Sequence, residues 1–241
     1  MSENLFLSIF NDATPNLNRL DELSAFEEPR KKFILAMTPR SGSTYLCDRM
    51  KATKRLGQPE ELLGQLSLKK YLRQIPARNA DEYLKNAMRI KRTANNVASL
   101  KTSWFQFEKY LEAMQERGYL NEFKYIYLTR RDLIAQAISL YRATASAVFH
   151  TDKQQKSENL ALYHTLEYDY VAIKHWFNHI VAQEKRLASL LFSIKKIFPL
   201  CVYYEDIEED LLTVLKRIAL FVSVHPENIV LPEEPSLFKK T

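Results

Sequence analysis

The stretch Phe33-Ile34-Leu35-Ala36-Met37-Thr38-Pro39-Arg40-Ser41-Gly42-Ser43-Thr44-Tyr45-Leu46 decides the fold of this 241-residue chain. It reads as an apolar strand, a short polar turn and a helix that begins near Ser43. In such an arrangement the N–H groups of the turn and the helix N-terminus converge on one spot, which receives phosphate or sulfate. Gly42, one of only four glycines in the sequence, lets the backbone approach the anion. Arg40 adds a fixed charge with several donors, and the hydroxyls of Ser41, Ser43 and Thr44 add short hydrogen bonds. The loop is not a Walker A motif, which needs two glycines and a lysine that are missing here. Taken alone, the residues also allow a plain connection whose Ser and Thr cap the helix. Further on, Gly57-Gln58-Pro59-Glu60-Glu61 forms a turn that can bring a carboxylate back towards the loop.

Working outward, Lys32 to Met37, Val97 to Lys101, Tyr125 to Leu128 and Leu200 to Tyr204 read as buried strands. Their apolar residues run together instead of alternating, as strands covered on both faces do. Helical periods lie between them. Asn79-Ala80-Asp81-Glu82 has the shape of a capping box leading into Tyr83, Ala87 and Ile90. After Asp206, one stripe of Ile207, Leu211, Val214, Leu215, Ile218 and Val222 predicts an amphipathic helix packed on the sheet. Strands separated by helices, without hairpin turns, predict an α/β domain with a mostly parallel sheet. Residues 1–241 read as one domain. The first thirty or so residues (1–31), the polar run Asp152 to Glu158 and the tail at 233–241 read as flexible.

With 46% apolar and 27% charged residues, the composition is that of a soluble globular chain and excludes general disorder. The formal charge of +6 is uneven. Residues 29–56 carry eight basic side chains (Arg30, Lys31, Lys32, Arg40, Arg49, Lys51, Lys54, Arg55) against Asp48 alone. A local basic segment points to an anionic ligand, whereas nucleic-acid binding calls for a larger excess with interleaved aromatics. Two cysteines make no disulfide framework, and no apolar run is long enough to span a membrane. The cytoplasm is the simplest compartment. His175 and His179 are four apart, but Trp176-Phe177-Asn178 lies between them and no glutamate follows His175, so no zinc motif forms. Cys47 reads as core, and the acids Glu205 to Asp210 read as a solvated helix start.

Thr38-Pro39-Arg40-Ser41-Gly42-Ser43-Thr44, followed by Leu46, Met50, Ala52-Thr53 and Gly57-x-Pro59-x-Glu61, resembles the opening of the bacterial trehalose 2-sulfotransferase and lipopolysaccharide sulfotransferase family. Lys101-Thr102-Ser103-Trp104 is similar to the family's K-x-x-W. Arg130-Arg131-Asp132 through Gln136-Ala137-Ile138-Ser139-Leu140-Tyr141-Arg142-Ala143 is similar to its R-P-D-x-x-x-Q-A-x-S-x-x-R-A. In order and spacing these cover about residues 32–143, with weaker echoes at Tyr168-Asp169 and Gln183-Glu184.

The resemblance implies a P-loop-like three-layer sandwich, the sulfotransferase fold, and a reaction that uses 3′-phosphoadenosine-5′-phosphosulfate (PAPS) and leaves adenosine 3′,5′-bisphosphate (PAP). Arg40, Ser41, Gly42, Ser43 and Thr44 would hold the 5′-phosphosulfate, Arg130 and Ser139 the 3′-phosphate. Glu61 would be the general base, and Lys101 would steer the sulfuryl group or the acceptor. The implied acceptor is a carbohydrate or glycolipid hydroxyl, with no metal; a homodimer is one of the assemblies left open. Three departures stand out. Leu62-Leu63 replaces the family's aromatics, Arg131 its proline, and Lys239-Lys240 stands where the family carries a basic stretch and a tryptophan. The residues leave two other readings open, a nucleotide-dependent kinase and a non-catalytic module that binds a phosphorylated ligand.

Overall fold

Uninterrupted apolar strands demand cover on both faces. A computed structural model, which describes residues 5–12, 15–149, 157–193 and 198–232, shows that cover. In chain order the elements are α1 (Leu5–Asn11), α2 (Leu17–Ser24), β1 (Lys31–Met37), α3 (Ser43–Ala52), α4 (Gln65–Tyr71), α5 (Ala80–Ile90), β2 (Val97–Ser103) and α6 (Trp104–Ala113). Then come β3 (Lys124–Thr129), α7 (Leu133–Ser146), α8 (Ser157–Thr165), α9 (Tyr170–Ser193), β4 (Leu200–Tyr203), α10 (Tyr204–Glu209) and α11 (Leu211–Phe221). All four expected strands form, and they pair in parallel in the order β2-β1-β3-β4.

Alternate residues of β1 serve opposite layers. Ile34 and Ala36 pack with Tyr83 and Leu84 of α5, Phe107 and Tyr110 of α6, and Leu187 of α9. Phe33, Leu35 and Met37 pack with Leu46, Cys47 and Met50 of α3 and with Val214, Leu215 and Ile218 of α11. Each fully buried side chain of this size contributes about 1.5–3 kcal/mol. The result is the expected α/β sandwich of helices, parallel sheet and helices. The crossover from β1 leads to β2 on one side, and the chain then passes back to β3 on the other. Met37 lies opposite Ser103 of β2 and Leu128 of β3, so the carboxyl ends of all three strands are level. That end of β1 and β3 is the topological switch point, where open parallel sheets bind ligands.

Two expectations need correction. The helix after Asp206 is two helices, because the Asp210 side chain accepts hydrogen bonds from Thr213 N (3.0 Å) and Thr213 Oγ1 (2.6 Å) and starts α11 afresh. The stripe nevertheless buries Ile207, Val214, Leu215, Ile218 and Val222. The N-terminal segment, read as flexible, carries α1 and α2. Ile9, Phe10, Leu20 and Leu23 are buried there, and Glu28 accepts from Tyr119 Oη at 2.8 Å. Short amphipathic stretches become ordered once their apolar faces find a core. Of the run Asp152 to Glu158, also read as flexible, Ser157 and Glu158 open α8, while 152–156, like 233–241, lie outside the described residues. The Asn79 cap forms, its Oδ1 accepting from Glu82 N at 2.9 Å, but the Glu82 carboxylate turns to Arg78 N instead of closing the box. Among the described residues no helix is long and apolar enough to cross a membrane.

Candidate active site

At the end of β1 the chain turns through Thr38-Pro39-Arg40-Ser41-Gly42 into α3. Arg40 (φ 66°) and Gly42 (φ 79°) are both left-handed, the backbone type from which N–H nests for anions are built. A Cβ on Gly42 would lie 2.4 Å from Tyr204 Cδ2, so only glycine lets that ring approach. Gly42 caps α3 without offering a side chain to its first turn, which leaves the helix N-terminus to a ligand. Ser41 is fully buried, and its hydroxyl donates to the Thr38 carbonyl at 2.8 Å. It braces the turn, while Ser43 and Thr44 stand in the first turn of α3.

Arg40 Nε donates to Ser139 Oγ of α7 at 2.9 Å, and Arg40 Nη1 donates to the Phe149 carbonyl. Arg130, just past β3, places its guanidinium carbon 4.5 Å from the centre of the Tyr204 ring. Its buried Nε has no hydrogen-bond partner among the described residues. Burial holds the Arg40 guanidinium below its ordinary pKa; Tyr163 opposes this, and the neighbouring Arg130 adds to it. Two cations that disfavour each other, beside a helix N-terminus, fit an anionic ligand. The side chains of Arg40, Ser139 and Arg130 thus form one cluster, although the resemblance divided them between two phosphates. Tyr204, which touches both the loop and Arg130, was missed; its only sequence signal is an aromatic residue after the fourth strand.

Arg131, where the family has proline, has a use for its N–H. It donates to the Glu205 carboxylate at 3.1 Å, Asp132 N joins it at 3.2 Å, and the Arg131 guanidinium pairs with Asp206 at 2.7 Å. The acidic run after Tyr204 is therefore a clasp on the loop after β3, not merely a solvated helix start.

The carboxylate turn docks on β2. Gly57 is left-handed (φ 73°), and a Cβ there would lie 2.2 Å from Ser99 Oγ of β2. Lys101 N donates to the Glu60 carbonyl at 3.0 Å, and Glu61 pairs alongside Lys101 as a one-residue parallel bridge. The Lys101 ammonium lies 2.8 Å from Glu61 Oε1 and 3.3 Å from Thr44 Oγ1, so it spans the carboxylate and the helix α3. The Glu61 side chain is 39% exposed and can be reached by a substrate, while Lys101 is buried at 8%. Glu60 points elsewhere, to Lys51 (2.9 Å), Lys91 (2.8 Å) and Tyr71 Oη (3.0 Å). Burial raises its pKa, but the two lysines outweigh that and bring it down to about 2. Leu62 and Leu63 are fully buried in the core, so the residues that replace the family's aromatics do not face a substrate.

Behind the loop lies a second carboxyl, on the Gln183-Glu184 echo. Glu184 Oε1 accepts from Thr38 Oγ1 at 2.5 Å; Oε2 accepts from Thr129 Oγ1 at 3.1 Å and from Tyr127 Oη. Gln136 Nε2 donates to Thr38 Oγ1 at 2.9 Å and to the Pro39 carbonyl at 2.6 Å, tying α7 into the same brace. Burial pushes the Glu184 carboxyl up to about 7, with the Thr38 hydrogen bond opposing. The folded protein therefore holds a proton that the unfolded chain releases near pH 4.5, the ordinary value. This contribution is fully present below pH 4.5 and is lost as pH rises through about 7. Glu184→Gln, which mimics the neutral carboxyl, is expected to melt above the wild type at pH 8 and level with it near pH 4.5. Thermal melts of both proteins across this range check it, and parallel curves would overturn it.

His175 and His179 are exposed and each meets the Trp176 ring edge-on, at 5.1 and 5.5 Å. Cys47 is buried, and burial pushes its thiol up to about 11, as befits a core residue.

A strand–turn–helix anion loop at the switch point of a parallel sheet, with flanking arginines and no Walker lysine, defines a P-loop-like protein that handles anionic groups. The chain belongs to the Stf0 sulphotransferase family, whose model matches residues 32–239. Among solved structures it is similar to a mouse sulfotransferase complexed with PAP, at 19% identity over 85% of this chain and 63% of that one, TM-score 0.42. It is also similar to a sulfotransferase from Mycobacterium avium (14% identity, 86% and 67%, TM-score 0.49). The sulfotransferase domain of the Synechococcus PCC 7002 olefin synthase is a third (17% identity, 88% and 80%, TM-score 0.45). The chain spans less than two thirds of the mouse protein's length. No curated protein matches the chain.

Proposed function

We propose that this protein transfers a sulfuryl group from PAPS to a hydroxyl of a carbohydrate or glycolipid, as a single cytoplasmic domain. The observation that carries the reading is the Lys101 ammonium, 2.8 Å from Glu61 and 3.3 Å from Thr44, which puts a carboxylate base and the anion loop within reach of one cation. The Arg130 Nε, without a partner among the described residues, and the α3 N-terminus without a side-chain cap are the features that fit the donor. PAPS supplies an activated sulfuryl group with a 5′-phosphate as leaving group. Glu61 takes the proton of the attacking hydroxyl as its oxygen bonds to sulfur and the bond from sulfur to the phosphate oxygen breaks. The N–H groups at the start of α3 and Lys101 stabilise the charge that develops on the leaving oxygen. Arg40 meets the 5′-phosphosulfate from the loop and reaches Ser139, Arg130 and Ser139 hold the 3′-phosphate, and the motif likeness to trehalose and lipopolysaccharide sulfotransferases supports a sugar hydroxyl as acceptor.

The protein is expected to bind PAP in preference to ATP, since no Walker lysine awaits a γ-phosphate. At ten to a hundred times the dissociation constant, PAP stabilises the fold by about 1.4–2.7 kcal/mol, readable as a rise in melting temperature. A larger rise with ATP and magnesium than with PAP would overturn the assignment in favour of a kinase. A screen of bacterial metabolite extract with labelled PAPS identifies the acceptor and separates an enzyme from a binding module.

A further inference from the structure

Gln106, in the first turn of α6, is the third residue after the Ser103 cap. Its backbone N donates to Ser103 Oγ at 3.4 Å, and its Oε1 accepts from Ser103 N at 3.3 Å, a complete capping box. That second bond fixes which way the amide points, because a flipped amide would set its oxygen against a carboxylate. The Nε2 group therefore faces outward, and it donates to Glu61 Oε2 at 3.1 Å. The other oxygen, Oε1, belongs to Lys101 at 2.8 Å. Both holders come from one rigid piece, the end of β2 and the start of α6. A Cβ on Gly64 would lie 3.1 Å from Gln106 Nε2, so the segment after Glu61 closes over the amide.

We propose that Gln106 is a positioning residue for the reaction, which sets the plane of the Glu61 carboxylate through Oε2; this rests on Glu61 being the base. The terminal torsion of a glutamate is soft, and at 39% exposure the side chain has room to turn. Gln106 holds the second oxygen and Lys101 the first, which fixes the plane of the carboxylate. A base misplaced by about 1 Å can lose two orders of magnitude in rate. Cys47 of α3 lies close enough to feel the charges of Glu61 and Lys101, as well as those of Lys51 and Asp48, and the adjacent Glu60 turns its own carboxylate to Lys51 and Lys91.

Gln106→Glu is the deciding variant. Glutamate serves a capping box as well as glutamine does, so the helix start survives, but an acceptor replaces the donor opposite Glu61. The expected results are a kcat lower by about 10- to 100-fold with the KM for PAPS unchanged. The Glu61 carboxyl should also titrate at higher pH, since a like charge replaces a donor. Carbon-13 NMR titration of the labelled glutamates, assigned with Glu61→Gln, reads this without any acceptor. Gln106→Asn, which shortens the reach by one methylene, should show the same kcat loss and a smaller titration shift. A lower melting temperature with unchanged kcat per folded molecule and unmoved titration in both variants would mean that Gln106 only caps the helix. If Glu61→Gln loses activity and the Gln106 variants do not, the positioning role alone fails. An active Glu61→Gln removes the base reading and this role with it.

Discussion

Glu61→Gln is expected to lower sulfuryl transfer per active site by about 10²- to 10⁴-fold, the usual worth of a positioned general base. Glutamine keeps the length of the side chain and its amide oxygen can still accept from Lys101, but its NH2 then faces the Gln106 donor and it cannot accept a proton. Affinity for PAP should hardly change, because Glu61 faces the acceptor side of Lys101 while the nucleotide would lie over α3. Glu60→Gln separates a chemical effect from a structural one. Glu60 is adjacent and equally charged, yet its carboxylate is held by Lys51, Lys91 and Tyr71 at 2.8–3.0 Å. Its loss should lower the melting temperature while turnover per folded molecule stays near that of the wild type. The measurement is initial rate with labelled PAPS, with folded fraction and PAP affinity determined on the same samples. Wild-type turnover in Glu61→Gln, or the large loss appearing in Glu60→Gln instead, would show that the base is misassigned.

What the sequence disclosed about this site follows from how local each feature is. Strand, turn and helix from Phe33 to Leu46 are contiguous, so hydrophobic run, glycine and hydroxyls announce them together. The strand cores were legible for the same reason, and with four strands separated by helices the parallel sheet follows from chain connectivity. The break at Asp210 was hidden because the apolar stripe continues in register across it, and only the side-chain contact with Thr213 ends one helix and starts the next. Tyr204 and Glu184 reach the anion loop from the start of α10 and from α9, more than 140 positions downstream of Thr38. Their neighbourhoods mark them only faintly: Glu184 falls in one of the weaker family echoes and otherwise looks like a polar residue of an amphipathic helix. Gln106 was masked differently, since a glutamine three positions after a serine is already explained by capping. Linear motifs set Arg40 and Ser139 on different phosphates, and the 2.9 Å contact between their side chains is a juxtaposition that spacing along the chain does not show.

Arg130→Ala is expected to weaken PAP binding by about 10- to 100-fold, the loss of charge-assisted hydrogen bonds worth about 1.5–3 kcal/mol, while AMP binding stays within about twofold of wild type. The reason is placement. Arg130 meets the Tyr204 ring at 4.5 Å and keeps its buried Nε without a partner among the described residues, a donor poised for a group that AMP lacks. Arg130→Lys restores the charge but not the planar fork, so it should recover only part of the loss. Arg40→Ala should weaken both ligands, because Arg40 belongs to the loop that would receive the 5′-phosphate, and PAP more than AMP, because its Nε reaches Ser139. The alanine meets the same left-handed backbone that arginine already occupies at φ 66°, so the fold should tolerate the exchange. The two arginines disfavour each other's charge in the free protein, so removing one relieves a repulsion that the ligand otherwise offsets. A double variant is accordingly expected to lose less affinity for PAP than the two single losses combined. Calorimetric titration of the four variants with AMP and with PAP at one fixed ionic strength decides the matter. Equal losses of AMP affinity in Arg40→Ala and Arg130→Ala would move Arg130 to the 5′-phosphate and leave the 3′-phosphate without the site assigned to it here.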